Sequence, residues 1–215
     1  NSLISINGEQ MPTLEIFFVL TVMMLLPSIV VMMTSFLRII IVLSFTRTAI
    51  GVQQTPPNIV LVGMAIFLTL FIMNPVVQKI DTEAYQPYKA GEITQEEAID
   101  LAAVPMKEFM LKQTEVSALN LFVDASDSEA VENPEDLSLV VIVPAFVTSE
   151  LKRAFTAGLL LYIPFLLIDI IVSSTLMSMG MIMLPPATIA LPFKLLLFVT
   201  VNGWELLFAS IIKSF

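Results

Sequence analysis

The chain has 215 residues, 57% of them hydrophobic and 13% charged, with a mean hydropathy of +0.90, a balance that excludes an ordinary soluble domain and points to a membrane or membrane-assembly protein. Cysteine and histidine are both absent, which removes disulfides, thiolate metal sites and the usual general base or proton switch. The net charge of −9 is uneven: residues 80–136 hold 14 Asp and Glu against 3 Lys, and the nearly neutral remainder has no basic footprint for nucleic acid.

In chain order, residues 1–13 (NSLISINGEQMPT) read as the start of a processed secretory chain, which places the amino terminus outside the cytoplasm. Leu14 to Phe45 is almost entirely apolar, broken by Pro27 and Arg38, so that it either tilts and kinks at Pro27 or is partly buried in protein instead of lipid. As one helix those 32 residues would reach about 48 Å, well past a bilayer core of about 30 Å. TRTAIGVQQTPPN (46–58) reads as a turn, and Ile59 to Val77 as the partner of a first hairpin spanning 14–77.

Residues 78–137 form the acidic insert, expected to be helical and extracytoplasmic. Thr94 followed by Glu97 is a capping-box pattern that predicts a helix from Gln95, with Pro105 ending it or opening the next. DASDSEAVENPED (124–136) reads as a solvated linker. Its acidic spacing resembles a calcium loop, but Glu129 occupies the glycine position and Ser126 and Ser128 replace carboxylates, so no metal is expected.

The second hairpin covers 138–215, its long apolar runs separated by Pro185-Pro186 and Pro192. The fold expected is all-α: two long kinked helical hairpins around a small acidic helical insert. With four crossings and an outside amino terminus, the two hairpin turns face the cytoplasm with Arg47 and Lys194. Lys152 and Arg153 then fall outside, against the positive-inside rule, so the hairpins need not simply span a bilayer.

Arg38, Asp169, Lys194 and Glu205 lie in or beside apolar runs, where an unpaired charge costs about 2.5–3.5 kcal/mol on insertion scales. Buried or intersubunit charge pairs are expected for them. Glu150, Lys152 and Arg153 read as a mixed-charge helix start available for interface pairing. Asp169 also has a functional reading, as a proton or cation carrier. No catalytic residue, phosphate loop or cofactor site is apparent.

STLMSMGMIMLPPATIALPFK (174–194) places four of the chain's 13 methionines within seven residues. If 174–183 is helical, Met177 stacks on Met181 and Met179 on Met183. Such thioethers are ordinary packing against a neighbour, or a compressible seal if they point to an axis in a ring.

Three stretches carry a resemblance: TSFLRIIIVLSFTRTAIGVQQTPPN (34–58), SELKRAFTAGLLLYIPFLLIDIIVSS (149–174) and LMSMGMIMLPPATIALPFKLLLF (176–198). They closely resemble the FliP family of flagellar type III export-gate proteins, to which injectisome counterparts are similar. The resemblance implies a ring of five copies, joined by FliQ and FliR subunits and other export-apparatus membrane proteins. That assembly would sit in the bacterial inner membrane at the flagellar basal body and admit unfolded secreted substrates. It implies inclined hairpins raised out of the lipid plane. It gives Met179, Met181 and Met183 the role of a gasket, with Ile182 standing where some relatives have a third consecutive Met. Gly180 would be the hinge and Pro185-Pro186 its stop. The rival readings are a proton-coupled small-solute transporter using Asp169 and a purely structural scaffold.

Overall fold

A computed structural model describes residues 5–6, 9–10, 13–52, 54–126 and 133–215. Apart from an antiparallel pairing of β1 (Ser5–Ile6) with β2 (Glu9–Gln10), these residues form helices and their connections, and the fold is all-α. The helices are α1 (Thr13–Met32), α2 (Phe36–Ile50), α3 (Asn58–Ile80), α4 (Gln86–Ala90), α5 (Gln95–Gln113), α6 (Val116–Ala125), α7 (Leu139–Ser178), α8 (Pro186–Thr200) and α9 (Gly203–Lys213).

Several boundaries depart from the sequence expectation. The first apolar run breaks at Met33–Ser35, not at Pro27, which α1 absorbs. Thr34 bridges the break: its hydroxyl donates to the Val31 carbonyl at 3.2 Å and accepts the Phe36 amide at 3.5 Å. It thereby satisfies groups that both helix ends leave over. The first turn is shorter than 46–58, because α2 runs on to Ile50 and closes on Gly51 at φ +90°. Pro105 lies inside α5 and Pro192 inside α8, so neither ends a helix. The capping box at Thr94 forms, with the Glu97 amide donating to the Thr94 hydroxyl and the Thr94 amide to the Glu97 carboxylate. Residues 127–132, the heart of the linker and of the calcium-like spacing, lie outside the described residues.

By length and apolarity, two helical stretches are able to cross a membrane: Asn58–Ala90, continuous through a π-helical turn at Asp81–Tyr85, and α7. α8 and α9 qualify only as a pair bent by 62°, and the apolar part of α1, Ile16–Ile29, is shorter. Four straight crossings are therefore not what the described residues form. α7 is 40 residues long, about 60 Å and twice the bilayer core, although it contains Pro144 and Pro164.

The main core joins α2, α3, α7 and α9 through Ile39, Val42, Leu43, Leu61, Ala154 and Leu207. A second cluster, Met110, Leu137, Ile142 and Phe146, fixes the acidic insert to the start of α7. On α7, Ile142, Phe146, Glu150, Ala154 and Gly158 form a buried stripe at four-residue spacing, the period of one helical face. Gly158 permits close approach to α2, since a Cβ there would lie 2.6 Å from the Phe45 ring. The outward faces of α1, α3 and α7 are left apolar and bare, including Phe17, Phe18, Phe67, Phe71 and Phe155. That is the surface of a chain that finishes its burial against lipid or other subunits.

Candidate functional site

The methionine stretch begins where α7 ends. The Gly180 amide donates to the Met177 carbonyl at 3.0 Å and the Met181 amide to the Leu176 carbonyl at 3.0 Å, the two crossed bonds of a glycine-closed helix terminus. Gly180 takes φ +73°, which any residue with a Cβ adopts only at a cost. Residues 179–185 are thus a loop, and the expected helical stacking of Met177 on Met181 and Met179 on Met183 does not form. Pro185 then precedes α8, and Pro186 takes its first turn, where the missing amide costs nothing.

The loop projects its apolar side chains into open space. Met183 is 98% exposed, Ile182 84%, Met179 62% and Met181 42%. With Leu184, five large apolar side chains stand exposed on one short loop, a costly arrangement for an isolated chain at about 25 cal/mol per Å² of apolar surface left in water.

Behind the loop, its two flanking helices are tied together. The Lys194 ammonium on α8 donates to the Asp169 carboxylate on α7 at 2.6 Å and to the Ala49 carbonyl on α2 at 3.3 Å. A cation at that carbonyl also complements the negative end of α2. Asp169 and Lys194 are therefore brought together within one chain. The second Asp169 oxygen is buried and without a hydrogen-bond partner.

A second polar junction lies near the other end of α2. The Arg38 guanidinium donates through Nε to Glu150 Oε2 at 2.8 Å and through Nη2 to Glu150 Oε1. Nη2 also donates to Gln113 Oε1 at 3.1 Å, and Nη1 to the Ser214 carbonyl and hydroxyl at 2.9 and 3.0 Å. All five N–H donors of the guanidinium are thus satisfied. The Phe215 ring lies 3.8 Å from the guanidinium carbon, and the Gln113 amide donates to the Phe215 carbonyl. Arg153 donates to the same Gln113 oxygen at 2.7 Å, and Lys152 pairs with Glu115 at 2.6 Å. That hydrogen bond holds the Glu115 carboxyl below its ordinary range. A groove of about 1120 Å³ opens beside the junction, walled by Arg38, Arg153, Leu161, Phe165 and Leu207.

Of the charges singled out in the sequence, Arg38, Lys152, Arg153, Asp169 and Lys194 all find partners inside the chain. Glu205 is exposed on the first turn of α9, a position that its helix dipole favours, and has no ion-pair partner among the described residues. Glu150 is not part of a helix start: it sits eleven residues into α7 and is fully buried. Reading it as an exposed charge missed its place in the four-residue stripe, which is the signal that could have found it. The roles of Gln113, Ser214 and Phe215 carried no local signal, because their partner is 75 residues or more away. Among the described residues, no group of His, Cys, Asp and Glu is arranged to hold a metal.

The model of the FliP family matches residues 19–211. The flagellar biosynthetic protein FliP of Pectobacterium carotovorum subsp. carotovorum is 50% identical over 211 residues, 97% of this chain and 82% of that protein. The protein of the same name from Bacillus subtilis (strain 168) is 49% identical over 203 residues, covering 94% and 92% respectively. That from Aquifex aeolicus (strain VF5) is 46% identical over 211 residues, 97% of this chain and 88% of the relative.

Proposed function

Because the chain belongs to the FliP family, we propose that it forms a gated channel for unfolded flagellar proteins, with the loop of residues 179–185 as the gate. The chain is a flagellar biosynthetic protein, a membrane-associated component of the flagellar export apparatus that works alongside the other proteins of that apparatus.

In the proposed arrangement, five copies assemble with FliQ and FliR in the inner membrane and turn their loops to one axis. Met179, Met181, Ile182 and Met183 then meet their equivalents from neighbouring copies and exclude water and ions. The observation that carries this reading is the loop itself: long, unbranched thioethers left bare on a glycine-closed turn between two helices that are clamped behind it. Methionine fits because an unbranched, polarisable side chain closes around a passing polypeptide of any sequence without a fixed shape. Gly180 supplies the backbone turn and Pro185-Pro186 a rigid exit into α8. The energy for transport comes from elsewhere in the apparatus. The bare faces of α1, α3 and α7 and the groove beside Arg38 support an assembled rather than solitary chain.

The carrier reading of Asp169 is disfavoured by its 2.6 Å bond to Lys194, which engages the carboxylate in a structural tie between α7 and α8. The gate is tested by replacing Met179, Met181 and Met183 together with Ala. The expected result is an ion leak through membranes containing the complex, with flagellin export altered. An unchanged leak with normal export refutes the gate; a loss that follows complex yield alone identifies a scaffold.

A further inference from the structure

Sulfur chemistry in this chain is confined to methionine, since there are 13 Met and no Cys. The 13 are not equivalent. Met110 is fully buried and Met73 is 4% exposed, both inside helices with packed neighbours. Met23 and Met24 are exposed, but on α1, whose described side chains are apolar around the helix and suited to a nonpolar surround. Met179, Met181 and Met183 differ from both groups. They stand on a non-helical loop whose backbone polar groups need water or protein around them, with open space beside Gly180. With Met177, exposed on the last turn of α7, they are sulfurs that a water-borne oxidant reaches, since a closure across an aqueous passage keeps its rim in water.

We propose that this loop is a reversible oxidation site, at which a hydroperoxide converts Met179, Met181 and Met183 to methionine sulfoxide and thereby loosens the closure. The inference rests on the gate reading for its consequence, but not for its chemistry. In the reaction the thioether sulfur gives a lone pair to the terminal peroxide oxygen. With hydrogen peroxide, an S–O bond forms as the O–O bond breaks, and the departing hydroxide takes up the proton carried on the transferred oxygen and leaves as water. Sulfur loses two electrons and the peroxide gains them, so no further reactant is required. The product is a polar, chiral side chain where an apolar, pliable one stood, and thiol-dependent sulfoxide reductases restore it.

The physical consequence follows from what the seal needs. A ring of thioethers excludes water because nothing in it accepts a hydrogen bond well. A ring of sulfoxides presents strong acceptors to the same space, and the dry closure becomes a wetted one. Ile182, between Met181 and Met183, has no sulfur and keeps its apolar character, so oxidation weakens the closure at three positions and leaves the fourth. An exporter that opens under peroxide stress dissipates the ion gradient, and the dissipation ends when the sulfur is reduced.

The test uses the assembled export complex in membrane vesicles, with hydrogen peroxide as the probe. Peptide mass mapping should find one added oxygen at Met179, Met181 and Met183 on the order of tenfold faster than at Met73 or Met110, because susceptibility follows exposure. Ion leak, measured before and after peroxide in the same vesicles, should rise in parallel and fall again after treatment with a sulfoxide reductase and its thiol reductant. In a variant with Leu at 179, 181 and 183 the ratio of leak after to before peroxide should stay at one, whatever its starting value. In Met23→Leu/Met24→Leu, the ratio of leak after to before peroxide should match the parent's. Equal oxidation of loop and buried methionines overturns the proposal. So does loop oxidation without added leak in a complex whose Ala variant at the same positions does leak; the gate then stands and only its oxidation sensitivity falls. If the Ala variant and peroxide both leave the leak unchanged, the gate reading itself has failed.

Discussion

The Arg38 junction and the methionine loop lie on the same helix, about 42 Å apart along α7 at 1.5 Å per residue from Glu150 to Ser178, and they are finished in opposite ways. At the junction every donor of a buried guanidinium is satisfied within the chain, by Glu150, Gln113 and Ser214. At the loop almost nothing is satisfied: the side chains that most need burial have none. A region complete in itself holds its shape before assembly. A region left incomplete states what the assembly must supply, which here is apolar contact without polar specificity.

The sharpest way to break this contrast is at the junction. Arg38→Leu leaves a fully buried carboxylate with no closer cation than Arg153 at 4.0 Å, and Glu150→Gln leaves a buried guanidinium without its countercharge. Each should cost about 3–5 kcal/mol, read as an early loss of monodisperse protein in detergent on heating. A smaller effect separates the two regions by their glycines. Gly158→Ala forces a methyl group to within 2.6 Å of the Phe45 ring, and overpacking of about 1–3 kcal/mol outweighs the roughly 1 kcal/mol that alanine returns in a helix. Gly180→Ala meets nothing within 4 Å, so its cost is backbone strain alone, about 1 kcal/mol, visible as faster exchange of the amides at position 180 and at Met181. Gly180→Asn should cost less, because Asn tolerates the left-handed conformation. If Gly180→Ala proves as damaging as Gly158→Ala, the loop is more tightly held than its surroundings indicate.

The smallest effect concerns acid. The Glu97 carboxyl is held below its ordinary range by the Thr94 amide and hydroxyl, and Glu115 by Lys152. A depressed carboxyl contributes stability above its ordinary pKa of about 4.3, and that contribution is lost as pH falls through the lower folded value. Amide exchange at the start of α5 should therefore quicken only below about pH 4, while the Gly180 terminus, which has no titrating group, stays unchanged.

Much of the architecture is legible in the residue pattern, and the misses have physical causes. The apolar runs identify the long helices, and Thr94 with Glu97 fixes the start of α5 because a capping box is a local device. Proline misleads: Pro27, Pro105, Pro144, Pro164 and Pro192 all lie inside helices, while the break at Met33–Ser35 contains none. Long helices absorb the loss of one amide hydrogen bond when their packing fixes the axis, and Thr34 makes a break inexpensive without proline. The loop was visible by composition, but its shape was not. Alternate methionines suggested stacked faces, whereas Gly180 before Pro185-Pro186 ends the helix at Ser178. The Asp169–Lys194 pair spans 25 residues and the Arg38–Glu150 pair 112, and nothing local announces such partners.

The length of α7 has a leverage consequence. If α7 rocks about Glu150 together with α2 and α8, to which Gly158 and Asp169 tie it, the loop rides on an arm of about 42 Å, and a tilt of about ten degrees sweeps Ser178 sideways by about 7 Å. Modest rocking at the anchored end is thus enough to displace the loop by more than the width of a side chain, with no hydrogen bond of the helix broken.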